Sequence, residues 1–131
     1  MALFVDTSGF LAAADRDDRH HAGMAKAFAD ALSQGQRLVT HSMVVTETAA
    51  LMHRRLGHAV TVTFLDALQS MEVVWVDEPI FKKGLERFRR KSPTNLSLVD
   101  SVSFAVMAAF TIRHYVGIDS HFENEGFARF S

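Results

Sequence analysis

The 131 residues hold 14 Lys plus Arg against 15 Asp plus Glu, are 48% apolar and include eleven Phe; this suits one domain over residues 1–131, folding on burial of its own core. Cysteine is absent, which excludes a disulfide frame and thiolate metal sites, and the near-neutral charge excludes the whole-chain basic footprint of many nucleic-acid binders. No basic segment precedes an apolar stretch of signal length, and the longest uncharged run, Ser101 to Ile112, falls short of the roughly 20 residues of a bilayer span; a soluble, cytoplasmic protein with no membrane contact is expected.

Short apolar or β-branched runs alternate with longer helical ones. A first strand, Leu3 to Val5, runs into Asp6 and then a helix from Ser8 to Ala14. A helix over His21 to Ser33 is closed by Gly35, which suits a left-handed turn. A strand at Arg37 to Thr40 leads to a helix over Ser42 to Arg55, closed by Gly57, and another over Ala59 to Ser70. After a strand at Val73 to Val76, Asp77 reads as a cap and Pro79 as an early helical proline, opening a helix to Arg90. The loop Lys91 to Ser97 precedes the most apolar helix, Leu98 to Arg113, a strand at Tyr115 to Ile118 and an edge strand at Phe127 to Phe130. This alternation predicts an α/β fold around a mostly parallel sheet.

Four acids stand in unlikely places. Asp6 and Asp119 each end an apolar strand, and in a parallel sheet the carboxyl ends of the strands form one rim where ligands bind. Glu47 shares a helical face with Val44 and Leu51, and Asp100 with Phe104 and Met107, so each charge lies on a stripe that should face the core. Buried carboxylates are costly unless something cationic or hydrogen-bonding meets them. Four converging on one cleft would hold protons or a cation, and oxygen-only ligation suits Mg²⁺ or Mn²⁺. Simpler readings stand beside this: Asp6 and Asp119 as helix caps, and Ser97 with Asp100 as a capping box. Glu47, in mid-helix, caps nothing.

The stretches "FVDTSGFLA", "VVTETAAL", "LSLVDSVSFAVM" and "GIDSHFENEGF" together resemble the PIN-domain ribonucleases, most closely the VapC-like toxins of type II toxin–antitoxin pairs. The resemblance implies a three-layer α/β/α sandwich. It makes Asp6, Glu47, Asp100 and Asp119 the acidic, metal-holding quartet, with Thr7 and Ser8 as hydroxyls that help hold the metal or its water. It further implies metal-dependent hydrolysis of RNA, a homodimer and a cognate antitoxin whose tail covers the cleft.

The segment "KKGLERFRRK" has six basic residues and one acid. Lys82, Lys83, Arg87, Arg89, Arg90 and Lys91 are candidate phosphate contacts, or only a solvated helix face. His121, two residues past Asp119, reads as structural, and Trp75 and the phenylalanines read as core rather than as base-stacking platforms. Two other functions compete with the nuclease. One is a catalytically silent PIN-fold module binding RNA or protein. The other is a phosphotransfer domain phosphorylated on Asp6, which would need a Lys near the end of a late strand, where "YVGIDSHF" has none.

Overall fold

The computed structural model describes residues 1–90 and 96–130. In chain order they form β1 (Ala2–Val5), α1 (Thr7–Ala14), α2 (His21–Ser33), β2 (Arg37–His41), α3 (Ser42–Leu56), α4 (His58–Ala67), a 3-10 turn (Leu68–Ser70), β3 (Glu72–Val74), α5 (Glu78–Arg90), α6 (Leu98–Ala109), β4 (His114–Val116), α7 (His121–Asn124) and β5 (Ala128–Arg129). The strands make one sheet in the order β3-β2-β1-β4-β5, and every pairing is parallel. No helix among the described residues is long and apolar enough to cross a membrane.

Leu3, Phe4 and Val5 in the central strand are all fully buried, as expected of a parallel strand covered on both faces. Phe4 stacks on Phe122 of α7 at 6.1 Å, and Phe122 meets Phe104 of α6 edge-on at 4.9 Å and stacks on Tyr115 at 4.8 Å. These helices therefore cover the Phe4 face, while Leu3 and Val5 point to the opposite one. The result is an α/β sandwich. The register pairs Phe4 with Val39 and with Tyr115, and His41 with Val74. Continued outward, it sets Asp6, His41, Val74 and Gly117 in one row at the carboxyl ends of the strands.

Besides strand ends shifted by one or two residues in β3, β4 and β5, the structure departs from the sequence reading at four places. The last long helix stops at Ala109 rather than Arg113, because Thr111 takes a left-handed backbone at φ 55°. Ile112 N then donates to Met107 O at 2.8 Å and Thr111 N to Ala108 O at 3.3 Å, a terminator in which glycine is the usual residue. The fourth helix tightens into a 3-10 turn at Leu68. The short α7 was not expected, and buried Phe122 anchors it. Trp75, read as core, lies beyond the end of β3 and is 77% exposed, and Phe88 and Phe110 are also exposed.

Candidate active site

Asp6 leaves the central strand and caps α1. Its Oδ1 accepts from Ser8 Oγ at 2.8 Å and from Gly9 N at 3.0 Å, while Ser8 Oγ accepts from Ile118 N at 2.9 Å. One serine hydroxyl thus joins the ends of β1 and β4. Two glycines make this closure sterically feasible. A β-carbon at Gly117 would lie 2.2 Å from Asp6 Oδ1, and one at Gly9 would lie 2.6 Å from Val116 O. The carboxyl of Asp6 is buried, 4% exposed. Burial pushes its pKa up to about 7; the Ser8 and Gly9 hydrogen bonds oppose this, and the charges of Asp119 and Asp100 add to it.

Glu47 lies on α3, half-buried. Its Oε1 accepts from Thr7 Oγ1 at 2.8 Å, and Thr7 in turn accepts from Thr48 Oγ1 at 3.2 Å. The two hydroxyls after Asp6 therefore hold carboxylates: Thr7 holds Glu47 and Ser8 holds Asp6.

Asp100 caps α6 in a capping box: Ser97 Oγ accepts from Asp100 N at 3.0 Å, and Asp100 Oδ2 accepts from Ser97 N at 3.3 Å. The cap and the acidic cluster coexist. Burial raises the Asp100 pKa, the charges of Asp119 and Glu47 contribute in the same direction, and the Ser97 bonds oppose them. Asp119 Oδ1 accepts from His121 N at 2.9 Å and lies 2.8 Å from His121 Nδ1. Asp100, Asp119 and His121 each offer a ligand atom, and these atoms lie within 4.8 Å of one another.

Asp6 and Glu47 are outside this tight group and approach it through their charges. The basic helix is engaged elsewhere. Lys82 pairs with Glu78 at 2.9 Å and Arg87 with Glu125 at 3.6 Å. Lys83, Arg87 and Arg90 line a cavity of about 360 Å³ with Ala105, Ala108 and Ala109, toward the end of α6 remote from Asp100. Arg89 is exposed, and Lys91 lies outside the described residues. A second cavity, about 400 Å³ and apolar, is lined by Phe10, Ala14, Leu38, Phe64 and Met71 among others; it opens toward the amino ends of the strands, away from the acids.

Two supporting residues escaped the sequence reading. His41 is fully buried at the end of β2. Its Nδ1 accepts from Met43 N at 3.2 Å and Val44 N at 3.3 Å, capping α3. That leaves the ring proton on Nε2, which lies 2.8 Å from Ser103 Oγ, and Ser103 donates onward to Val99 O at 3.0 Å. Burial pushes the His41 pKa down to about 4, so a neutral ring ties the helix of Glu47 to that of Asp100. Arg129 donates to Ile118 O at 2.9 Å, the carbonyl just before Asp119, and to Glu123 Oε1 at 3.2 Å. The one sequence signal for His41 was its place at the end of a buried strand; Arg129, in an exposed edge strand, carried none.

The donor set fits a hard divalent cation. Carboxylate oxygens dominate it, and both hydrogen bonds to Asp6 fall on Oδ1. Burial first, with neighbouring negative charge adding to it, holds the Asp6 and Asp100 pKa values up, and a bound cation would offset that charge.

Comparison with known proteins identifies the family and the fold. The PIN domain family model matches residues 3–114. The chain is 30% identical over 127 residues to the 23S rRNA-specific endonuclease VapC20 of Mycobacterium tuberculosis, in each of two strains, covering 95% of both chains. The crystal structure of Mycobacterium tuberculosis VapC20, described as a sarcin-ricin loop cleaving toxin, superposes with a TM-score of 0.88 at 28% identity over 96% of each chain. With the family model spanning most of its length, this chain belongs to the PIN-domain family.

Proposed function

We propose that this chain is a metal-dependent endoribonuclease, hydrolysing RNA phosphodiester bonds as the toxin of a type II toxin–antitoxin pair. It works in the cytoplasm as a homodimer controlled by a cognate antitoxin, and folds as one PIN-like domain over residues 1–131. The observation that carries this reading is the convergence of Asp6, Glu47, Asp100 and Asp119 at one rim, each raising or sharing the field of another. Similarity over 95% of the chain to a protein named for cleaving 23S rRNA supports the choice of RNA.

In this reading Asp100 and Asp119, with Asp6 and Glu47 beside them, would hold Mg²⁺ or Mn²⁺. When bound, such a cation acidifies water and offsets charge on phosphate oxygens. Thr7 engages Oε1 of Glu47, so Oε2 accepts the proton of the attacking water. Ser8 and Gly9 hold Asp6 in one orientation, and Ser97 does the same for Asp100. Lys82, Lys83, Arg87, Arg89, Arg90 and Lys91 are the proposed contacts to more distant phosphates.

Cleavage of an RNA hairpin with Mn²⁺, compared among wild type, Asp6→Asn, Glu47→Gln and Asp100→Asn, tests the assignment. Loss of at least ~100-fold in each folded variant supports it. Wild-type cleavage in excess chelator would overturn the metal dependence.

A further inference from the structure

Trp75 is the single tryptophan of the chain, and at 77% exposure its indole stands in solvent, unusual for so large a ring. No ring contact involves it among the described residues. Its place in the fold is specific. Val74 pairs with His41, the row that also holds Asp6, so Trp75 lies one residue beyond that row on the same rim. Two strand spacings separate it laterally from Asp6, roughly 10 Å, a span that one or two nucleotides cross.

The backbone beside the indole is fixed, because Val76 N donates to Ser42 Oγ at 2.9 Å, tying this segment to the first residue of α3. The acids that follow are engaged locally: Asp77 Oδ1 caps α5 through Ile80 N at 3.0 Å, and Glu78 pairs with Lys82 at 2.9 Å. Lys83, next in the chain, is exposed. A flat aromatic face on a rigid support, on the rim of the acids, has the features of a stacking platform for single-stranded nucleic acid.

We propose that Trp75 stacks on an unpaired base of the RNA and so positions the strand on its approach to the acids. The proposal rests on the ribonuclease reading and adds a binding site to it. The unpaired base is the ligand, and any of the four bases has the required face.

The lone indole reports on its own role. A hairpin RNA with an unpaired purine loop is added to the Asp119→Asn protein with Mn²⁺, with binding read by anisotropy of the labelled RNA and stacking by tryptophan emission. Stacking predicts quenching that disappears when the loop bases are replaced by abasic sites. In the wild-type background, Trp75→Ala raises KM ~10-fold with kcat unchanged, and Trp75→Phe recovers most of the loss. Bound RNA with unchanged emission, or Trp75→Ala cleaving with wild-type KM, overturns the stacking proposal and leaves the nuclease reading intact. A Trp75→Ala protein that cleaves RNA normally but no longer binds its antitoxin reassigns the indole to a protein contact, and also overturns it. Failure of the hairpin and of total cellular RNA to bind at all would overturn both readings.

Discussion

Gly117 has no side chain because Asp6 occupies its space: a β-carbon there would lie 2.2 Å from Asp6 Oδ1 and 2.9 Å from Asp6 Cγ. The conflicting atoms belong to a buried carboxyl held by Ser8 and Gly9, and the same β-carbon would lie 3.1 Å from Ser8 Oγ, so the strain falls on the orientation of Asp6. Gly117→Ala is expected to lower kcat by ~10-fold or more and to cost about 1–3 kcal/mol of stability, the usual range for overpacking. Parallel measurement of cleavage rate, Mn²⁺ affinity and thermal midpoint checks this. A stability loss with unchanged cleavage would show that Asp6 need not stay where Gly117 lets it sit.

Thr7 and Glu47 form the second test. The hydroxyl donates to Glu47 Oε1 at 2.8 Å, and a hydrogen bond to a charged group contributes about 1.5–3 kcal/mol. Thr7→Val removes the donor while keeping the shape. The expected result is a fall in kcat of ~10-fold or more, with Thr7→Ser close to wild type. In the Glu47→Gln background Thr7→Val should cost little more, because both changes act on one carboxyl.

Protonation of Asp6 sets a pH dependence with a definite sign. Burial lifts its folded pKa from an ordinary 3.8 to about 7. A raised pKa stabilises the fold fully below the unfolded value, and that contribution is lost as pH rises through the folded value. In chelator, the thermal midpoint should therefore fall between about pH 4 and about pH 7, from the unfolded to the folded pKa, by a loss on the order of a few kcal/mol. Asp6→Asn, which does not ionise, should flatten the fall, and Mn²⁺ should offset it by favouring the charged form. Midpoints across pH, with and without metal, measure this directly.

His41 carries a structural prediction. Its ring caps α3 through Met43 N and Val44 N and reaches Ser103 on α6. His41→Ala should destabilise the fold by more than the ~1 kcal/mol of an ordinary lost cap, since it also empties a buried site. Ser103→Ala should be milder, because the cap survives; chemical unfolding of both variants makes the comparison.

Much of this was legible in the sequence, and the misses have physical causes. Periodicity and caps located β1, β2 and most helix starts, because Asp77, Ser97 and Gly35 act through local bonds a few residues apart. The end of α6 was misread because Thr111 does what glycine usually does. Trp75 was misread because three β-branched or apolar neighbours look buried while the strand ends at Val74. The acidic residues were visible as charges on apolar faces. Thr7 was expected to help hold the metal or its water, but its bond to Glu47, like the roles of Gly117 and Arg129, was hidden, since each joins residues far apart in the chain.

The most direct test of the whole account is Mn²⁺ titration into the metal-free protein by calorimetry, repeated with Asp119→Asn and with Asp100→Asn. The expected result is a saturable isotherm for the wild type that weakens at least ~10-fold in each variant, with RNA cleavage appearing in step with occupancy. Full cleavage by protein that binds no divalent cation, or unchanged Mn²⁺ affinity in both variants, would contradict it.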